Sequence, residues 1–166
     1  MKKTIIALVA MFALTLSANA QKFGHVDSQA IMTTLPELTK VNGELQAIAQ
    51  QYENDLKAMQ EELQRKAEEY DKAKATMSAS AQEEQEAKLQ EMYQKIQQTA
   101  QQNQQEFQKQ QQEKMQPIQQ KIMTAIQNVG KAGQYTYIFE QSAALYVGTG
   151  SKDVTSEVKA EINKLK

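Results

Sequence analysis

A mostly helical protein with a small β body is what this sequence predicts. The expected architecture is a long antiparallel helical hairpin, a coiled-coil-like arm, projecting from a β body that oligomerisation completes. Three observations carry that expectation. From Leu38 to about Met77 the chain holds no proline and one glycine, Gly43, beneath an apolar stripe at helical spacing. After a break of small polar residues, a second stripe runs from Leu89 to Val129. Beyond Gly133 the composition changes to the β-branched and aromatic run YTYIFE.

The chain opens MKKTIIALVAMFALTLSANAQ. Lys2 and Lys3, the apolar Ile5 to Leu16 and the small residues Ala18 and Ala20 have the layout of a secretory signal peptide, 1–20, with the mature chain starting at Gln21. There is no cysteine, so disulfides, a thiol nucleophile, a thiolate metal site and a cysteine-linked lipid are all excluded. Removing Lys2 and Lys3 from 19 basic residues leaves 17 against 20 acidic ones, a net of −3. That balance lacks the basic footprint of a nucleic-acid binder.

KFGHVD (22–27) reads as a short strand, and Asp27 as the cap of a short helix from Ser28 to Met32. In TTLPE, Thr34 and Glu37 have capping-box spacing, with Pro36 in the first turn. The first long stripe is Leu38, Val41, Leu45, Ile48, Tyr52, Leu56, Met59, Leu63, Ala67 and Tyr70. Its nine steps cover 32 residues, a mean near 3.6, where a strict heptad would give 3.5. A nearly straight helix with one sticky stripe follows. TMSAS (76–80) interrupts it, and Ser80 to Glu83 has the form of a capping box that starts the second helix.

The second stripe is Leu89, Tyr93, Ile96, Ala100, Asn103 and Phe107, then Met115, Ile118, Ile122, Ala125 and Val129. Between them lies QQTAQQNQQEFQKQQQEKMQ (97–116), too polar to bury in an ordinary core. Gly130 is the expected left-handed cap, and Pro117, inside the helix, should bend it. Roughly forty residues per helix give an arm about 60 Å long. The domain boundaries are then 21–34 and 131–166 for the body and 35–130 for the arm, with its tip near 76–80.

In the body, 22–26, 135–139 and 143–147 are the expected strands, and DVTSEVKAEINKLK is an amphipathic helix with Val154, Val158, Ile162 and Leu165 on one face. About fifty residues without disulfides or metal are too few for a good core. Three strands also leave bare edges. Self-association through the strands answers both deficits, and Phe23, Val26, Ile138, Phe139, Leu145 and Val147 are the candidate interface. On the arms, Tyr52, Met59, Tyr70, Met77, Met92, Tyr93, Phe107 and Met115 are candidates for soft, adaptable contacts with a bound chain.

Other patterns carry less. VGTGSKDVT resembles a phosphate loop but fails GxxxxGK[ST], so it reads as a connecting turn. His25 is the only histidine and has no second ligand cluster, which leaves no case for a metal site or a hydrolytic triad. No cofactor and no catalytic residue is expected.

The signal peptide, FGHVDSQAIMTTLPE, the polar hairpin and the ending YTYIFEQSAALYVGTGSKDVTSEVKAEINKLK together resemble the Skp or OmpH-like periplasmic chaperone family. Asp153-Val154-Thr155 matches that family's D-[IV]-T helix start. The resemblance implies a periplasmic homotrimer shaped like a three-armed clamp. It implies an ATP-independent holdase that keeps unfolded outer-membrane β-barrel proteins soluble, and no enzyme. The competing reading is a structural spacer or tether of the cell envelope. A spacer calls for a continuous dry stripe, and this one fails between Phe107 and Met115.

Overall fold

The computed structural model describes residues 21–165; the expected signal peptide lies outside them. The element order is β1 (Phe23–Val26), α1 (Ser28–Met32), α2 (Pro36–Ala73), a 3₁₀ turn (Lys74–Thr76), α3 (Ala79–Ala132), β2 (Tyr137–Glu140), a second 3₁₀ turn (Gln141–Ala143), β3 (Ser151–Asp153) and α4 (Thr155–Ile162). Two compact units result. Leu35–Ile118 forms one, and residues 21–34 with the chain from Gln119 onward form the other.

In the helical unit, all ten positions of the first expected stripe are buried or half-buried, so α2 turns that face inward along its whole length. Pro36 occupies the first turn, where its missing N–H leaves no bond unmade. The expected capping box is absent. Leu35 is the N-cap and no side chain caps α2, because the Thr34 hydroxyl donates instead to Ile31 O at 2.7 Å. At the far end, Ser78, not Ser80, accepts from the N–H of Ala81 at 3.3 Å. Gln82 is drawn back over the turn, where its amide donates to Lys74 O and Met77 O. Two further ties show that α2 and α3 run antiparallel here. Tyr70 Oη donates to Glu86 Oε1 at 2.5 Å, and Lys114 Nζ to Glu44 Oε2 at 2.7 Å.

The buried line on α3 departs from the expected one. Tyr93 and Ala100 are exposed, while Leu89, Met92, Ile96, Thr99, Asn103 and Glu106 are half-buried or buried. Their steps alternate three and four residues, the spacing of a heptad seam. The seam is therefore polar through the glutamine run, which is how so polar a helix is held by its partner. α3 continues without a break through Pro117.

The second unit centres on β1. The sheet is wholly parallel, in the order β2-β1-β3, with Phe23 beside Tyr137 and Ser151, and His25 beside Phe139 and Asp153. The third strand is thus Ser151–Asp153; residues 143–147 form none, and the expectation of a strand there is corrected. Its sequence favours a strand, but both edges of the central β1 are already taken by β2 and β3. Gly24 is buried in the central strand, where an added Cβ would stand 3.2 Å from the Tyr135 ring and 3.3 Å from Ile138.

One face of the sheet is covered. Val26, Ile31, Ala125, Val154, Val158 and Ile162 are at most 2% exposed. The apolar face expected for the terminal helix is the one it buries. Asp27 caps α1 as expected, accepting from Ala30 N at 2.7 Å. The expected cap on α3 lies elsewhere. The left-handed residue is Gln134, at φ 54°, and no glycine has positive φ. The N–H of Gln134 donates to Lys131 O at 3.2 Å and that of Tyr135 to Gly130 O at 3.0 Å, the two bonds of a Schellman turn.

Candidate functional site

The D-V-T sequence shows why those residue types stand together. Asp153 accepts from Thr155 N at 2.8 Å and so occupies the start of α4. Hydrogen bonds from Thr155, through its side chain and then its backbone, hold the Asp153 carboxyl below the ordinary aspartate range. Val154 is fully buried. The Thr155 hydroxyl accepts from the Asp27 N–H at 3.0 Å, and Val154 N donates to His25 O at 2.9 Å. The motif thus fastens α4 to the end of β1. It also fills the helix start that a phosphate would need, and Lys152 is paired with Glu157. The reading of VGTGSKDVT as a plain turn is corrected in part, since its SKD is β3. His25 Nδ1 lies 3.0 Å from Ser151 Oγ, and Asp27 is committed to its cap.

The other face of the sheet is open. Strand alternation places Phe23, His25, Tyr137 and Phe139 on it. Phe23 and Tyr137 stack with centroids 6.2 Å apart, and Tyr137 and Phe139 at 5.7 Å. Phe139 is 52% exposed and Leu145 fully exposed. Phe23, Phe139, Tyr146 and Val147 line one shallow depression with His25. Of the six candidate interface residues, Phe23, Phe139 and Val147 therefore belong to this open side, and Leu145 is fully exposed without lining the depression. Val26 is 2% exposed and packs inside the unit. Ile138 is half-buried, and its Cδ1 would lie 3.5 Å from a Cβ added at Gly130, so it serves the covered face. Tyr137 and Tyr146 are exposed members of the open side that sequence reasoning left out, although the Tyr137–Phe139 alternation announced the first.

On the helical unit, Tyr93 is exposed, whereas Tyr52, Met59, Met77, Met92, Phe107 and Met115 are half-buried and Tyr70 is 8% exposed. Tyr70 and Lys74 both donate to Glu86 Oε1. Those bonds, Tyr70's first, keep the Glu86 carboxyl more acidic than usual, and Glu86 in turn raises the pKa of both donors. Tyr52 lines an open depression of about 500 Å³ with Gln102, Asn103, Gln105, Glu106 and Lys109. No described helix is long and apolar enough to cross a membrane.

Long paired helices and a small parallel sheet make up the described fold. The chain belongs to the OmpH-like family, whose model, "Outer membrane protein (OmpH-like)", matches residues 22–162. Among solved structures, the fold is similar to that of an OmpH-like protein from Caulobacter crescentus CB15, a candidate outer membrane chaperone. The TM-score is 0.75 at 24% identity, over 87% of this chain and 85% of that one. No curated protein matches.

Proposed function

We propose that this chain is an ATP-independent holdase of the periplasm. It keeps unfolded outer-membrane β-barrel proteins soluble in a space between the helical pairs of several copies, a homotrimer. The observation that carries the reading is an OmpH-like chain whose α2–α3 seam turns polar through Thr99, Asn103 and Glu106. Such a pair stands without an apolar wrap and offers sparse, soft contacts, with Tyr93 the most open of the candidates. A precursor of that client class is apolar at alternate residues and aggregates in water. Many weak contacts hold it with high total avidity and release it without fuel.

Self-association is supported by the open aromatic side of the sheet. A contiguous apolar surface of this kind is characteristic of an interface, and the edges of β2 and β3 are bare. Export rests on residues 1–20. The test is light scattering of an outer-membrane β-barrel protein diluted from urea. The mature chain at one trimer per client is expected to suppress the signal. An unchanged signal at tenfold excess overturns the reading and leaves the envelope spacer.

A further inference from the structure

Between Lys95 and Glu106 the sequence runs IQQTAQQNQQ, ten residues without a charge. Three of the five glutamines of α2 are engaged: Gln51 donates to Asp55, Gln64 to Glu68, and Gln50 to Glu53 and Asn54. Those of α3 differ. Gln97, Gln98, Gln101, Gln104, Gln105 and Gln108 are exposed, and none has a hydrogen-bond partner among the described residues. α3 thus leaves a band of amides without partners ahead of Gln110, which donates to Glu106.

We propose that this band is the surface that takes hold of a client, and that what it recognises is uncharged backbone in an unfolded polypeptide. The proposal rests on the holdase reading and names the chemistry of its grip. Each amide carries two donors and an acceptor site, the same groups that a polypeptide backbone presents. Gln97, Gln101, Gln104 and Gln108 follow one line on α3, in steps of roughly 4.5–6 Å along its axis. Backbone groups on one side of an extended chain recur every roughly 6.6 Å, which long flexible side chains can follow. The charge balance fits this occupant. A band without charge neither repels acidic stretches nor selects basic ones, and it forces no ion to shed water. Tyr52, beside Gln102 and Gln105 in the open depression, supplies an apolar contact next to the amides.

Two variants test it, with Gln97, Gln101, Gln104 and Gln108 all changed to Ala or all to Glu; both residues keep the helix. Wild type is expected to hold an outer-membrane β-barrel client equally, within about twofold, at 0.05 and 1 M NaCl, as a grip without charge requires. At unchanged circular dichroism and sedimentation mass, each variant should need at least fivefold more protein for half-suppression of aggregation. Variants that hold as wild type does overturn the band while the holdase stands. A wild type that holds nothing fails the holdase reading itself. For a variant that misfolds, a photoreactive residue at Gln101 in the otherwise native chain decides. It should trap client where one at Arg65 does not. Capture of a second copy at Gln101 instead makes the band a surface between copies and overturns the inference.

Discussion

Lys114 Nζ reaches Glu44 Oε2 at 2.7 Å across the helical pair, joining residues 70 positions apart in sequence. The hydrogen bond and charge of Lys114 hold the Glu44 carboxyl below the ordinary range. The Tyr70 hydrogen bond, and then Lys74, do the same for Glu86. A carboxyl that is more acidic when folded stabilises the fold above its unfolded pKa, roughly 4.3 for Glu, and stops doing so as pH falls through its folded value. The melting midpoint should therefore drop from pH 6 to pH 3. The double variant E44Q/E86Q should melt lower at pH 6 and respond less to acid, though pairs this exposed contribute little each. A wild-type midpoint that rises with acidification over that window contradicts the assignment.

Gly43 lies in the interior of α2, exposed, and a Cβ added there meets nothing within 4 Å. Glycine in a helix interior costs about 1 kcal/mol relative to alanine. G43A should raise the melting midpoint by about 2–4 °C. A lower midpoint would mean that some contact needs this position bare.

At the end of α3, Gln134 takes a positive φ that glycine adopts more easily. Q134G should stabilise by about 0.5–1 kcal/mol, relieving left-handed strain in a turn already closed by its hydrogen bonds. G133A should do the opposite, because its Cβ would come within 2.7 Å of the Tyr135 ring and 3.1 Å of Val129 O. Urea unfolding of the two variants reads both signs. A stabilised G133A would show that the Tyr135 ring moves aside freely.

The stripe on α2 was legible because apolar residues occupy nearly every inward position, so period alone finds the face. On α3 the same method found Asn103 but misassigned Tyr93 and Ala100, since Met92, Thr99 and Glu106 complete the seam. A polar residue that faces a partner helix looks no different in sequence from one that faces water. The third strand failed for another reason. ALYV has strong strand propensity and SKD has little, yet SKD pairs with β1 and ALYV pairs with nothing. Strand identity depends on which edge is within reach, and propensity does not encode that. The glycine cap was misplaced because a Schellman turn accepts any residue whose strain its two hydrogen bonds outweigh. The candidate interface pooled Phe23 and Phe139 with Val26 and Ile138, because the sequence did not say which face the core would cover; the strand register puts the two pairs on opposite faces.

That separation selects the substitutions for testing self-association. I138D would strike the covered side of the sheet and confound unfolding with dissociation. Leu145 is fully exposed and Phe139 52% exposed in the single chain, so F139E/L145E spares the covered core of one copy and costs it only the Phe139 contacts on the open side, such as the Tyr137 stack. If copies meet across this side, the two carboxylates would lose water without partners, at a cost well beyond that of an ordinary surface change. Sedimentation equilibrium of the mature wild type at micromolar concentration should give a multiple of the single-chain mass. The double variant should give the single-chain mass with unchanged helical circular dichroism, and should no longer suppress client aggregation. A variant that keeps the wild-type mass would move the interface off Phe139 and Leu145. A wild type that is already a single chain would remove the shared space on which the holdase depends.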